Sequence, residues 1–297
     1  GVQTCALPIL GSERMQSASD GFSKMIKTLL YITPDPCPEC GGNLYAWRAK
    51  NKDGSDRCPP TCMECGYKAR KKAEDLETEK MFNDSLKARA INYLKYSSLY
   101  TDKNLINCRF KTYKTVDTET KLAFEIANRA TTEILLNKPI HMILSGKSGV
   151  GKSHLAMSTA WEVLEKSNYD KRCLFISYAE LLEQLKFAMN DEQARKEITG
   201  SLMAEIKSAD LVVLDDLGAE LGVKQIDDRN KSTNFNNDTL NRIVEARQNK
   251  ATIFTTNLTG KEMSQAYGER ILSRIMSNSQ GFVMKIEGTS DKRVAGI

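Results

Sequence analysis

The run Gly146-Lys147-Ser148-Gly149-Val150-Gly151-Lys152-Ser153 constrains the fold of this chain more than any other stretch. It matches G-x-x-x-x-G-K-[ST] at every fixed position. Its glycines let the backbone curl so that successive N–H groups converge on an anion. Lys152 is placed to reach outer phosphates, and the Ser153 hydroxyl suits Mg²⁺. The motif requires a strand before it and a helix after it. Residues 140–144 read as a short buried strand, and 155–166 read as a helix with Ala156, Ala160, Val163 and Leu164 on one face. A helix N-terminus adds its own attraction for phosphate. Gly146, Ser148, Gly149, Val150, Gly151, Lys152, Ser153 and the following His154 are the expected nucleotide-contacting segment.

Around this loop, helical and β-rich runs alternate. Leu122, Ile126, Ala130 and Ile134 mark a helix ahead of the first strand. Further strands are expected at 173–176, 211–214, 252–256 and 282–286, with a helix carrying Leu181, Leu182, Leu185, Ala188 and Met189. Such alternation implies an α/β fold with a mostly parallel five-stranded sheet covered on both faces. Ligands then bind outside the carboxyl ends of the strands. The 211–214 strand runs into Asp215-Asp216-Leu217-Gly218, which fits a Walker B element. Asp215 is expected to share Mg²⁺ with Ser153, and Asp216 to orient or deprotonate the attacking water. The 252–256 strand ends at Asn257, placed to touch the same water or the γ-phosphate. Asn249-Lys250-Ala251-Thr252 lacks the aspartate of the N-K-x-D guanine element, which favours ATP over GTP.

The phosphate loop, the Leu-Val-Val-Leu-Asp-Asp-Leu-Gly run, the Thr-Thr-Asn strand end and the segment 268–275 (Gly-Glu-Arg-Ile-Leu-Ser-Arg-Ile) occur in this order. Together they resemble the AAA+ ATPases of the DnaC/DnaI helicase-loader group, and the similar transposon helper ATPases of the IstB type. The resemblance covers roughly Asn104 to Ile297. It implies that Arg274 is an arginine finger reaching a neighbour's ATP, with Arg270 as the second choice. It also implies that Arg293 matches the second sensor. An arginine supplied in trans stabilises transition-state charge and makes hydrolysis depend on assembly. Many AAA+ Walker B elements end in Asp-Glu; the Asp-Asp here suits slow hydrolysis. The implied function is ATP-dependent loading of a replicative hexameric helicase, with single-stranded DNA and self-association. The alternative is a transposition helper acting on duplex DNA with a transposase.

Five of the eight cysteines fall between Cys37 and Cys65. Cys37-Pro-Glu-Cys40-Gly and Cys62-Met-Glu-Cys65-Gly are near duplicates separated by residues 41–61. Each C-x-x-C pair can bend two thiolates onto one metal, and the glycine allows the tight turn that follows. This resembles a zinc ribbon with Cys37, Cys40, Cys62 and Cys65 as ligands, although Cys58 is close enough to replace one. Four thiolates leave no open position for water, so such a site is structural. Residues 44–48 read as a strand, and 67–70 as the continuation of another. Cys108 and Cys173 read as packing residues. His141 and His154 have no metal-like partner and read as structural.

These segments suggest four parts. Residues 1–14 do not read like the rest and resemble an adapter-like, non-native tail; Met15 and Met25 are candidate starts. Residues 15–70 hold an amphipathic helix (Phe22, Met25, Ile26, Leu29, Leu30) and the zinc ribbon. Residues 71–104 read as a charged helical linker, with Phe82, Leu86, Ala90 and Leu94 at intervals of four, and 105–297 as the ATPase. Residues 223–238 read as a mobile loop carrying Lys224, Arg229 and Lys231. No apolar run approaches a membrane span, and without a secretory signal the expected compartment is the cytoplasm. A net charge of +5 permits nucleic-acid contact without requiring it.

Overall fold

The computed structural model describes Lys24 and residues 27–67, 69–188, 200–222 and 233–292, with 69–73 by backbone only. The tail 1–14, Phe22, Met25, Ile26, Met189, Lys224, Arg229, Lys231 and Arg293 lie outside the described residues. Two compact units divide at Asn83/Asp84.

In the first unit, β1 (Leu30–Ile32), β2 (Leu44–Trp47) and β3 (Thr61–Cys62) form an antiparallel sheet, with Leu30 opposite Trp47 and Leu44 opposite Cys62. Leu30, expected in the amphipathic helix, is in β1. The two cysteine knuckles repeat one geometry. Gly41 N donates to Cys37 O at 2.8 Å, and Gly66 N to Cys62 O at 3.1 Å. Gly41 and Gly66 have φ of 74° and 73°, a left-handed conformation that glycine adopts without a Cβ penalty. Tyr67 packs on Cys37, Leu44 and Cys62. Among the described residues no strand follows it: α1 (Ala69–Tyr96) starts where residues 67–70 are expected to extend a ribbon. The run Ala-Arg-Lys-Lys-Ala-Glu has strong helix formers and no β-branched residue.

In the second unit, five strands run parallel: β4 (His141–Gly146), β5 (Cys173–Ser177), β6 (Leu211–Leu217), β7 (Ala251–Thr256) and β8 (Val283–Ile286). Their spatial order is β5-β6-β7-β4-β8. Alternate residues feed two apolar layers. Met142, Leu144, Val213 and Ile253 face one layer, with α2 (Thr118–Leu135) and α3 (Lys152–Lys166). Ile143, Val212, Leu214 and Phe254 face the other. That second layer holds α4 (Tyr178–Ala188), α5 (Met203–Ser208), α6 (Asn234–Ala246), α7 (Gly260–Tyr267) and α8 (Glu269–Met276). Each apolar side chain so enclosed contributes about 1.5–3 kcal/mol.

Two departures from sequence pattern have clear causes. In α2, the buried stripe is Ala123, Ile126, Ala127, Ala130 and Ile134, while Leu122 is 46% exposed. Small residues let the helix approach the sheet closely, and Leu122 falls off that face. The end of α1 is not a free linker. Ala90 and Leu94 are buried in the first layer, and Leu99 pairs with the β5 edge through Leu99 N to Phe175 O and Ser177 N to Leu99 O. This covers backbone groups that an open edge would leave unpaired. Residues 234–238, expected within a loop, begin α6, where Thr233 Oγ1 accepts from Asn236 N as an N-cap.

Candidate functional site

The strand order brings the motifs together. β7 lies between β4 and β6, so the loop after β4, the end of β7 and the end of β6 are neighbours at one sheet edge. They border a cleft of about 530 Å³, lined in part by Ser148, Gly149, Gly151, Lys152, Ser153, His154, Asp215, Asp216 and Asn257. Gly151, with φ 96°, is the N-cap of α3, so the helix N-terminus opens directly onto the loop. Gly146 is held to its neighbour: a Cβ there would lie 2.1 Å from Ile286 O. Among the described residues, Gly146 and Val150 do not line the cleft. Val150 is buried in the apolar layer and anchors the loop instead of contacting a ligand through its side chain.

Lys152, 6% exposed, sits in a cage of oxygens. Its Nζ donates to Gly146 O at 2.9 Å, Lys147 O at 2.8 Å and Asn257 Oδ1 at 2.7 Å. Asn257 Nδ2 in turn donates to Asp216 Oδ1 at 2.9 Å. A single asparagine therefore links the loop lysine to the second aspartate. Asp215 is 5% exposed; burial pushes its carboxyl up to about 6, against hydrogen bonds from Thr255 and Ser153. The Asp215 carboxylate and Ser153 hydroxyl are adjacent hard oxygen donors, which fit Mg²⁺. Asp216 has φ 57°, and pairing between β6 and β7 shifts register between Leu214 and Leu217. The irregularity turns two successive carboxylates toward the same edge, where strict strand alternation would separate them.

Thr255 is a site residue that the sequence did not single out. Its Oγ1 donates to Asp215 Oδ1 at 2.6 Å and accepts from Asp216 N at 2.8 Å. The available signal was a hydroxyl inside a fully buried strand. Tyr113 and Lys292 also line the cleft, from segments with no motif. His154 Nε2 lies 3.0 Å from Thr112 Oγ1 and 3.2 Å from Arg109 O, and burial lowers its pKa. His141 is wholly buried against the Ile275 and Arg247 carbonyls, and burial lowers its pKa too.

The two arginines of α8 are not among the cleft-lining residues. Arg270 is exposed. Arg274 donates through Nη1 to Asn241 Oδ1 and pairs with Glu245 at 3.2 Å, its side chain 15% exposed.

In the first unit, the Sγ atoms of Cys37, Cys40, Cys62 and Cys65 all lie within 4.8 Å of one another, the one such ligand cluster among the described residues. Cys37 Sγ to Cys65 Sγ and Cys40 Sγ to Cys62 Sγ are each 3.6 Å. A tetrahedron of Zn–S bonds near 2.3 Å has sulfur–sulfur edges of about 3.8 Å, whereas a disulfide is about 2.05 Å. The spacing fits a metal and not a crosslink. Cys58 is exposed and outside the cluster.

A phosphate loop at a helix N-terminus, facing paired aspartates and an asparagine on a parallel sheet, defines a P-loop ATPase of the AAA+ type. Residues 66–293 match the IstB-like ATP binding protein family, and the chain belongs to it. It is 26% identical over 192 residues to the replicative helicase loader DnaC of Escherichia coli K12, covering 64% of this chain and 71% of that protein. The fold is shared with a DnaC helicase loader crystal structure (22% identity, TM-score 0.51, 62% of this chain and 99% of that one). It is also shared with a DnaI crystal structure (22% identity, TM-score 0.50, 65% of this chain and 94% of that one). No described helix is long and apolar enough to cross a membrane.

Proposed function

We propose that this protein is an ATP-dependent replicative helicase loader that binds ATP–Mg²⁺, single-stranded DNA and a hexameric helicase. The observation that carries the ATP reading is the continuous link Lys152–Asn257–Asp216 across one cleft. The likeness to DnaC supports the helicase partner. Ser153 and Asp215 would hold Mg²⁺, which neutralises developing charge on the phosphates. Lys152 exchanges its carbonyl acceptors for outer phosphate oxygens. Asp216 and Asn257 then orient the attacking water, with Asp216 accepting its proton. The link means that engagement of Lys152 alters what Asn257 can hold.

Arg274 acts in trans on a neighbour's triphosphate. To do so it must leave Asn241 and Glu245, so self-association controls a slow hydrolysis. The four cysteines hold zinc and keep the N-terminal module folded for helicase contact. Lys152→Ala abolishes ATP binding in calorimetry; unchanged affinity refutes the loop assignment. Turnover of the wild type rises with protein concentration and Arg274→Ala removes the rise. If Arg270→Ala removes it instead, the finger is the exposed arginine. Pull-down with a purified hexameric helicase, against a transposase, separates loading from transposition. Capture by the transposase alone overturns the loader reading. Salt-sensitive binding of single-stranded over duplex DNA is expected.

A further inference from the structure

Downstream of β8, residues 287–292 run from the N-terminal turn of α2 to the phosphate loop. Glu287 N and Gly288 N donate to Glu119 Oε2 at 3.0 and 2.9 Å. Thr289, 4% exposed, donates to Asp117 Oδ2 at 2.7 Å. The strap is thus tied to the N-terminal turn of α2. It then meets the phosphate loop: Lys292 N donates to Gly149 O at 3.1 Å.

Two opposite charges arrive with it. Asp291 lies directly on the loop, so a Cβ on Gly149 would be 2.0 Å from Asp291 Oδ1. The φ of 80° favours glycine at a position the motif leaves free. Lys292 Nζ lies 4.1 Å from the Tyr113 ring centre and donates to Lys114 O at 2.6 Å. It would also be 3.4 Å from a Cβ on Gly151. A carboxylate therefore lies against Gly149 of the phosphate loop, and an ammonium lines the cleft beside it.

We propose that the C-terminal strap is part of the nucleotide site and sets its affinity through two residues of opposite sign: Asp291 opposes the triphosphate, and Lys292 favours it. The proposal rests on the triphosphate reading of the cleft. An anion held against the loop repels phosphate oxygens arriving at the same N–H groups. Bound triphosphate displaces Asp291 while Lys292, one residue on, swings from the Lys114 carbonyl toward the phosphates. The strap then reports phosphate occupancy to α2 through Thr289 and Glu119.

The test is calorimetric titration of the full chain with MgATP and, separately, adenosine. Asp291→Asn tightens MgATP about three- to tenfold, and Lys292→Gln weakens it by a similar factor, the scale of one charge at a partly solvated site. Adenosine, which lacks phosphate, binds all three proteins alike. Thermal melts of each variant should match the wild type. If the wild type binds MgATP but both variants shift in the same direction, or neither shifts, the proposal is overturned. The same holds if adenosine shifts in parallel with MgATP. If wild type and Lys152→Ala bind MgATP equally, the triphosphate reading itself fails.

Discussion

The two units of this chain reach a fixed structure by different physics. The ATPase unit buries two continuous apolar layers on either side of a parallel sheet. Among the described residues, the cysteine module has a cluster of Cys37, Leu44 and Cys62, with Tyr67 against it. Two of those three core members are themselves metal-type ligands. A sheet of three short strands cannot offset its chain entropy by apolar burial alone. One unit carries its stability in its core, whereas the other places a metal-type cysteine cluster where a core would be.

Metal removal is the strongest way to break this contrast. A strong chelator, or Cys37→Ser, should remove on the order of 10 kcal/mol from the module and unfold it. ATP binding by the other unit should persist. Limited proteolysis with calorimetry checks both, and an intact module after chelation would erase the distinction. Next is Arg247, wholly buried, which donates to Ile206 O at 2.8 Å, Ala209 O at 2.9 Å and Thr252 Oγ1 at 2.9 Å. Arg247→Ala leaves those acceptors unpaired and should destabilise the ATPase unit by about 3–5 kcal/mol, as for a broken buried network. Denaturant unfolding should show this with zinc content unchanged.

Within the site, Asn257→Ala should lower turnover about 100-fold with ATP affinity largely kept. Equal losses in binding and turnover would make Asn257 a binding residue only. Thr255→Val removes two hydrogen bonds to the aspartate pair and should cost about 1–3 kcal/mol, read as a lower melting temperature. The smallest effect belongs to Cys58→Ser. Zinc stoichiometry should not change, because Cys58 stands outside the tetrad.

The parts of the site legible in sequence are those in which neighbouring residues do one job. The phosphate loop curls within a single turn, and each C-x-x-C-G knuckle closes its own hydrogen bonds. Signals failed where a role depends on what packs opposite. Residues 67–70 looked like strand but lead into a helix. Thr255 was indistinguishable from other strand hydroxyls until its partner aspartate was in place.

What the amino-acid order determined by itself is the chemistry in reserve: a phosphate cradle, two carboxylates after an apolar strand, and four thiols in matched pairs. Those depend on local backbone geometry and residue type. Only the tertiary structure decided that β7 inserts between β4 and β6, so that Asn257 joins Lys152 to Asp216 and Thr255 binds both aspartates. The reason is that strand order is a property of two faces being buried at once, and no single segment carries it.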